Sequence, residues 1–140
     1  MTGFPESDPG ASGLHARWYE ANRLGVVRQL HHSESNTADS LDLALVVNGI
    51  LVASAELKNP LTGQNIEHAM AQYRADRNPH DKIFAKRMLV HFAVDPHLVA
   101  MTTKLAGQET RFLPFNQGSA GPGNPGAAGN PPAGKNGGYQ

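Results

Sequence analysis

The chain has 140 residues, 12 basic and 12 acidic side chains, and no cysteine. That leaves room for one small core, excludes a disulfide framework or thiolate metal site, and gives no overall positive field to gather nucleic acid. No apolar run reaches the roughly 18 residues of a membrane span, and Met1 to Gly13 lacks the basic-then-apolar pattern of a secretory signal, so a cytoplasmic protein without membrane contact is expected.

Along the chain, 1–13 is rich in Gly, Pro, Ser and Asp and reads as a flexible leader. Nearly all bulky apolar residues fall in 14–117, the only stretch able to form a core. Leu24 to His31 reads as a first strand, followed by a polar loop from Ser33 to Ser40. Leu41, Leu43, Leu45 and Val47 then alternate with Asp42, Ala44 and Val46, and Asn48-Gly49 is a strong turn signal before Ile50 to Leu57, so a β-hairpin is predicted. Asn59-Pro60 stops that strand. Asn65 to Arg77 carries Ile66, Ala69, Met70 and Tyr73 at helical spacing. Met88 to Val94 and Leu98 to Thr102 are β-rich runs parted by Asp95-Pro96-His97. The predicted order is β-β-β-α-β-β, and a sheet covered by one helix should leave a face partly bare. In 118–140, 12 of 23 residues are Gly or Pro, which suits a linker or loose tail because too little apolar surface can be buried to offset chain entropy.

Three polar residues interrupt the apolar hairpin: Asp42 on one strand, Glu56 and Lys58 on the other. Glu56 and Lys58 are two apart and project from one face. Register decides whether Asp42 joins them. A plain two-residue Asn48-Gly49 turn pairs Val47 with Ile50 and Asp42 with Ala55, which puts Asp42 on the wrong face. A three-residue connection, Asn48-Gly49-Ile50, or a single bulge near Asn48 to Ile50, puts Asp42 opposite Glu56 and gathers Leu41, Leu43, Leu45, Val47, Leu51, Ala53, Ala55 and Leu57 on the other face, the expected core surface. Two adjacent carboxylates repel unless a cation sits between them, and Mg2+ commonly takes one or two carboxylates plus water. An ammonium beside such a site can orient a water and offset charge on a phosphate. The competing reading of the same spacing is an exposed polar face with a chance Asp and a Glu/Lys pair.

Other residues point less far. His31-His32, or His91 with His97, match no strong zinc spacing, and His91 on an apolar strand reads as a core residue. Arg74, Arg77, Lys82, Lys86 and Arg87 could touch DNA phosphates but read better as a solvated helix end and loop. Trp18 and Tyr19 are expected to pack on the sheet. Ser54 shares the face of Glu56 by parity, without the His/Asp relay that a nucleophile needs.

The runs Leu41-Asp42-Leu43 and Ala55-Glu56-Leu57-Lys58-Asn59-Pro60-Leu61-Thr62-Gly63-Gln64 resemble the PD-(D/E)xK nuclease site of the restriction (R) subunit of type I restriction enzymes. The likeness continues in order through Val26-Val27-Arg28-Gln29-Leu30, Gln72-Tyr73-Arg74, Leu89-Val90-His91-Phe92-Ala93-Val94-Asp95 and Thr110-Arg111-Phe112-Leu113-Pro114-Phe115-Asn116-Gln117-Gly118. The resemblance implies an α/β, restriction-endonuclease-like core, a mixed sheet with a flanking helix, without the family's N-terminal helices. It implies Mg2+ held by Asp42 and Glu56 with the Leu57 carbonyl nearby, Lys58 as catalytic lysine, and hydrolysis of DNA phosphodiesters as a type I site-specific deoxyribonuclease. The family's Gln-x-x-x-Tyr motif maps onto Tyr73; its glutamine slot holds Ala69, and Gln72 directly precedes the tyrosine instead, so both Tyr73 and Gln72 are candidate site residues. Implied partners are DNA and the modification and specificity subunits of the complex. ATP belongs to the full-length subunit, and this chain carries no phosphate loop. The alternative is a non-catalytic truncated remnant that acts as a docking or DNA-contacting piece.

Overall fold

A computed structural model gives the fold over residues 13–33, 36–116 and 121; most of the expected leader and tail lies outside the described residues. Helix α1 (Gly13–Glu20) leads into strands β1 (Leu24–His31), β2 (Ser40–Val47) and β3 (Ile50–Leu57), then a 3-10 turn at Pro60–Thr62. Helices α2 (Ile66–Ala75) and α3 (Lys82–Lys86) follow, and the chain returns as β4 (Val90–Val94), β5 (Val99–Thr102) and β6 (Leu113–Pro114). The six strands form one sheet in chain order. Neighbours are antiparallel except β3 and β4, which run parallel, and the crossover this requires is supplied by α2 and α3.

The predicted strands and central helix are present, while α1, α3 and β6 were not anticipated from the sequence. Trp18 and Tyr19 correct an expectation: they are 61 and 57 % exposed on α1, and the covered face of the sheet is filled from α2 and α3 instead. A larger correction concerns the faces. The core lies on the side of Asp42 and Glu56, where Ala44, Ala93 and Ala100 are small enough to admit Ile66, Ala69 and Tyr73 of α2, and Phe84 of α3. Leu41 joins this cluster, and Leu30 packs against it. The Leu43, Leu45, Ala55 and Leu57 face, expected to be the core, instead lines an open groove of about 280 Å3 with Phe92, Val94 and Phe115. Alternation grouped Leu43, Leu45, Ala55 and Leu57 correctly but not Leu41 and Leu51, which pack into the core beside Ala44, Leu51 because the ladder shifts just beyond it. Which face receives a helix layer is a tertiary fact that alternation does not encode.

The hairpin settles the register. Asn48 (φ 53°) and Gly49 (φ 83°) both have positive φ, as a two-residue type I′ turn requires, and Val47 pairs with Ile50. The ladder then shifts: Val46 faces Leu51 but Leu45 faces Ala53, so Val52 is an extra, bulged residue. Beyond it, Leu43 faces Ala55, and the same register sets Asp42 opposite Glu56. The Asn48 side chain clamps this tip to the start of β1, accepting the Arg23 N–H at 2.8 Å and donating to Asn22 at 2.8 Å.

Candidate functional site

Asp42, the third residue of β2, is held from two sides. Its Oδ2 accepts the Leu57 N–H at 2.8 Å and its Oδ1 accepts the Gln29 side-chain amide at 3.2 Å. Gln29 is itself bent, with φ 49° in mid-strand, an uncommon conformation for a non-glycine residue. Its side-chain oxygen also accepts the Ser40 hydroxyl at 3.1 Å. Gln29 thus ties β1 to the end of β2 that carries the carboxylate.

Glu56 is fully buried. Burying an isolated carboxylate is expensive, and a paired cation is the usual remedy. Arg77, itself only 4 % exposed, supplies it: Nε and Nη2 donate to Glu56 Oε1 at 3.0 and 2.6 Å, and Nη2 also donates to the Ser40 carbonyl at 2.8 Å. Glu56 Oε2 is buried without a hydrogen-bond partner among the described residues. Burial pushes the Glu56 carboxyl up to about 7; Arg77 opposes that rise and the neighbouring Asp42 carboxylate adds to it. The assignment of Arg77 to a solvated basic stretch is therefore corrected. It follows directly on the C-cap of α2, Asp76, and only the packing of α2 across β3 and β4 brings it to a residue 21 positions earlier. No spacing rule signals that pair.

Lys58, half-buried, lies on the same strand face as Glu56 and donates through Nζ to Gln72 Oε1 at 2.6 Å. Gln72 and Asp42 border a polar cleft of about 360 Å3, shared with Asp39, Ser40, Asp76 and Arg77. Gln72 thus stands at the lysine and the cleft. Tyr73 does not: it is fully buried, hydrogen-bonded to Ser54 Oγ at 2.8 Å, and Ser54 is bonded in turn to His91 Nδ1 at 2.8 Å. Burial pushes the Tyr73 hydroxyl above its ordinary range and holds His91 down to about 4. Ser54, Tyr73 and His91 form a neutral polar pin under the carboxylates, in keeping with the core reading of His91. His32 packs edge-on against Phe84, and burial first, then Arg77, lowers its pKa.

α2 carries both Gln72 and Tyr73, and its start is fixed twice. Asn65 caps it by accepting the Glu67 and His68 N–H groups at 3.1 and 3.4 Å, and Asp95, just past β4, accepts the Ile66 N–H at 3.0 Å. Through its other oxygen Asp95 accepts the His97 and Leu98 N–H groups at 2.8 and 2.7 Å. One carboxylate therefore sets both the β4–β5 turn and the angle of α2.

Among the described residues no three His, Cys, Asp or Glu side chains converge as a metal cage. The Asp42 and Glu56 pair, with one buried, unsatisfied carboxylate oxygen, fits a hard divalent ion that keeps several waters and takes one or two carboxylates. The chemistry available to the arrangement is cation binding beside a tethered ammonium. No helix among the described residues is long and apolar enough to cross a membrane. Comparison with curated proteins and with solved structures found no match. Residues 16–118 match the family model of the type I restriction enzyme R protein N terminus, and with that the chain, an α/β fold built on a six-stranded mixed sheet, belongs to that family.

Proposed function

We propose that this domain is a Mg2+-dependent endonuclease of the PD-(D/E)xK kind, acting on DNA as the nuclease part of a type I R subunit. The observation that carries the reading is the Val52 bulge, which sets Asp42 opposite Glu56 and keeps Lys58 on the same face. Asp42 and Glu56 would hold the ion, which when bound supplies Lewis-acid stabilisation of the phosphate and a more acidic water. The cleft itself argues for a cation: Asp39, Asp42 and Asp76 line it against Arg77, a balance that repels a phosphate until positive charge is added. Lys58 would sit beside the scissile phosphate, its ammonium oriented by Gln72. DNA and the modification and specificity subunits are the proposed partners.

Supercoiled plasmid incubated with the purified chain and Mg2+ tests this, with Asp42→Asn and Glu56→Gln as controls. Nicking that needs Mg2+ and both carboxylates is expected; nicking that survives Asp42→Asn would sink the assignment. The bare apolar face of the sheet favours a second reading, a docking piece without chemistry. Tight association with the rest of the complex, with neither cation binding nor cleavage, would decide for it.

A further inference from the structure

Arg77 uses the Glu56 carboxylate asymmetrically. In the common fork, each guanidinium nitrogen takes its own carboxylate oxygen; here both Nε and Nη2 donate to Oε1, at 3.0 and 2.6 Å. Oε2 is left buried without a hydrogen-bond partner among the described residues. The same Nη2 also donates to the Ser40 carbonyl at 2.8 Å, so the guanidinium joins the start of β2 to Glu56 on β3.

We propose that Arg77 is a positioning residue that restricts Glu56 to a single metal-facing oxygen, Oε2, and so biases the site toward small six-coordinate cations, Mg2+ and Mn2+, over Ca2+. The inference rests on the nuclease reading of this site and adds its ion selectivity. Mg2+ demands near-ideal octahedral geometry and keeps several waters, whereas Ca2+ takes six to eight oxygens and readily accepts a carboxylate through both of them. Chelation through both oxygens would require Glu56 to break two hydrogen bonds to Arg77. That rupture leaves a guanidinium 3 % exposed without its counter-ion, a strongly unfavourable state. The ion pair thus works as a steric and electrostatic stop on one carboxylate oxygen.

Isothermal titration of the full chain with Mg2+, Mn2+ and Ca2+, without DNA, provides the test. The unaltered protein is expected to prefer Mg2+ and Mn2+. Arg77→Lys keeps the charge but not the planar fork, and Arg77→Gln removes the charge; both are expected to shift the Mg2+/Ca2+ preference toward Ca2+ by about tenfold or more, in the range seen when a hydrogen-bond partner of a ligand is lost. A residue that merely supports the fold would weaken all three ions equally, and that result, or an unchanged ratio in folded variants, overturns the assignment. A Mn2+-loaded crystal structure of the unaltered chain tests it without any substitution. Mn2+ on Oε2 with Arg77 still on Oε1 is expected; chelation by both oxygens, or Arg77 swung away, overturns it. If the unaltered protein binds no divalent ion, or binds it equally well as Asp42→Asn, the nuclease reading itself falls and carries this inference with it. Binding that needs Asp42 but ignores Arg77 removes only the role of Arg77.

Discussion

Lys58 donates its ammonium to the Gln72 amide oxygen at 2.6 Å, and Gln72 borders the cleft with Asp42, so the charge is tethered by a neutral partner. Lys58→Ala is therefore expected to leave Mn2+ binding intact while cleavage falls by about a hundredfold or more, the usual scale for a lost proton-transfer or charge-stabilising group. Undiminished nicking would take Lys58 out of the mechanism. Beneath the site, His91 is fully buried and its pKa is held down to about 4 from 6.5 by burial. Between those values the unfolded chain binds a proton that the folded chain refuses, so stability is present above pH 6.5 and lost as pH falls toward 4, by about 3 kcal/mol in all. Glu56, raised to about 7 by burial, works in the opposite sense: there the folded state holds the extra proton, and stability declines as pH rises from 4.5 to 7. The net curve mixes the two, so the difference between unaltered protein and His91→Phe isolates the histidine. The variant should show a shallower acid-side decline in urea midpoint between pH 6.5 and 4, with His32, also lowered by burial, keeping its own share; an unchanged slope would show that His91 is not kept neutral. Of these residues, Asp42, Glu56 and Lys58 were legible because they break an apolar pattern at strand spacing. Gln29 and Arg77 were not, since each acts through a contact made only in the folded sheet.

At the scale of elements, one aspartate sets more geometry than its surroundings suggest. Asp95 accepts three backbone N–H groups, from Ile66 on α2 and from His97 and Leu98 in the turn before β5. Hydrogen bonds to a charged acceptor contribute about 1.5 to 3 kcal/mol each, and helix caps typically about 1. Asp95→Ala should thus cost about 3 kcal/mol in urea unfolding, with Asp95→Asn recovering part of it. A cost below about 0.5 kcal/mol, the ordinary range for a surface change, would mean that Asn65 alone fixes the helix start. The extents of β1 and β3 were readable to the residue, and α2 nearly so, because alternation, Asn-Gly and Asn-Pro are local signals. The bulge was readable only as a demand: the carboxylates require a parity that the two-residue turn denies, and the chain meets it at Val52, two residues beyond the Asn48–Ile50 stretch where it was expected. α3 and β6, of five and two residues, are too short for periodicity to register.

Across the whole molecule, the helices cover one face of the sheet and the other stays open. Leu45 and Leu57 are each 43 % exposed and Phe115 is 52 % exposed, around the groove they share with Leu43, Phe92 and Val94. β1, an edge strand, adds Leu24 and Val26, exposed by 80 and 61 %. Contiguous apolar surface and an unpaired edge both favour association. The sequence foretold a bare face from the number of helices, yet assigned it to the wrong side, since the alanines that let α2 approach were less conspicuous than the leucines. Purified chain is therefore expected to self-associate on gel filtration as its concentration rises, and to unfold at or below about 65 °C, the upper end of the usual mesophile range. Leu45→Lys combined with Phe115→Lys places two charges on the open face, away from Asp42 and Glu56, and should shift the elution toward monomer while leaving divalent-ion binding unchanged. A clean monomer at every concentration, with one sharp transition well above 65 °C, would show that this face is no liability and that the single helix layer suffices for the domain.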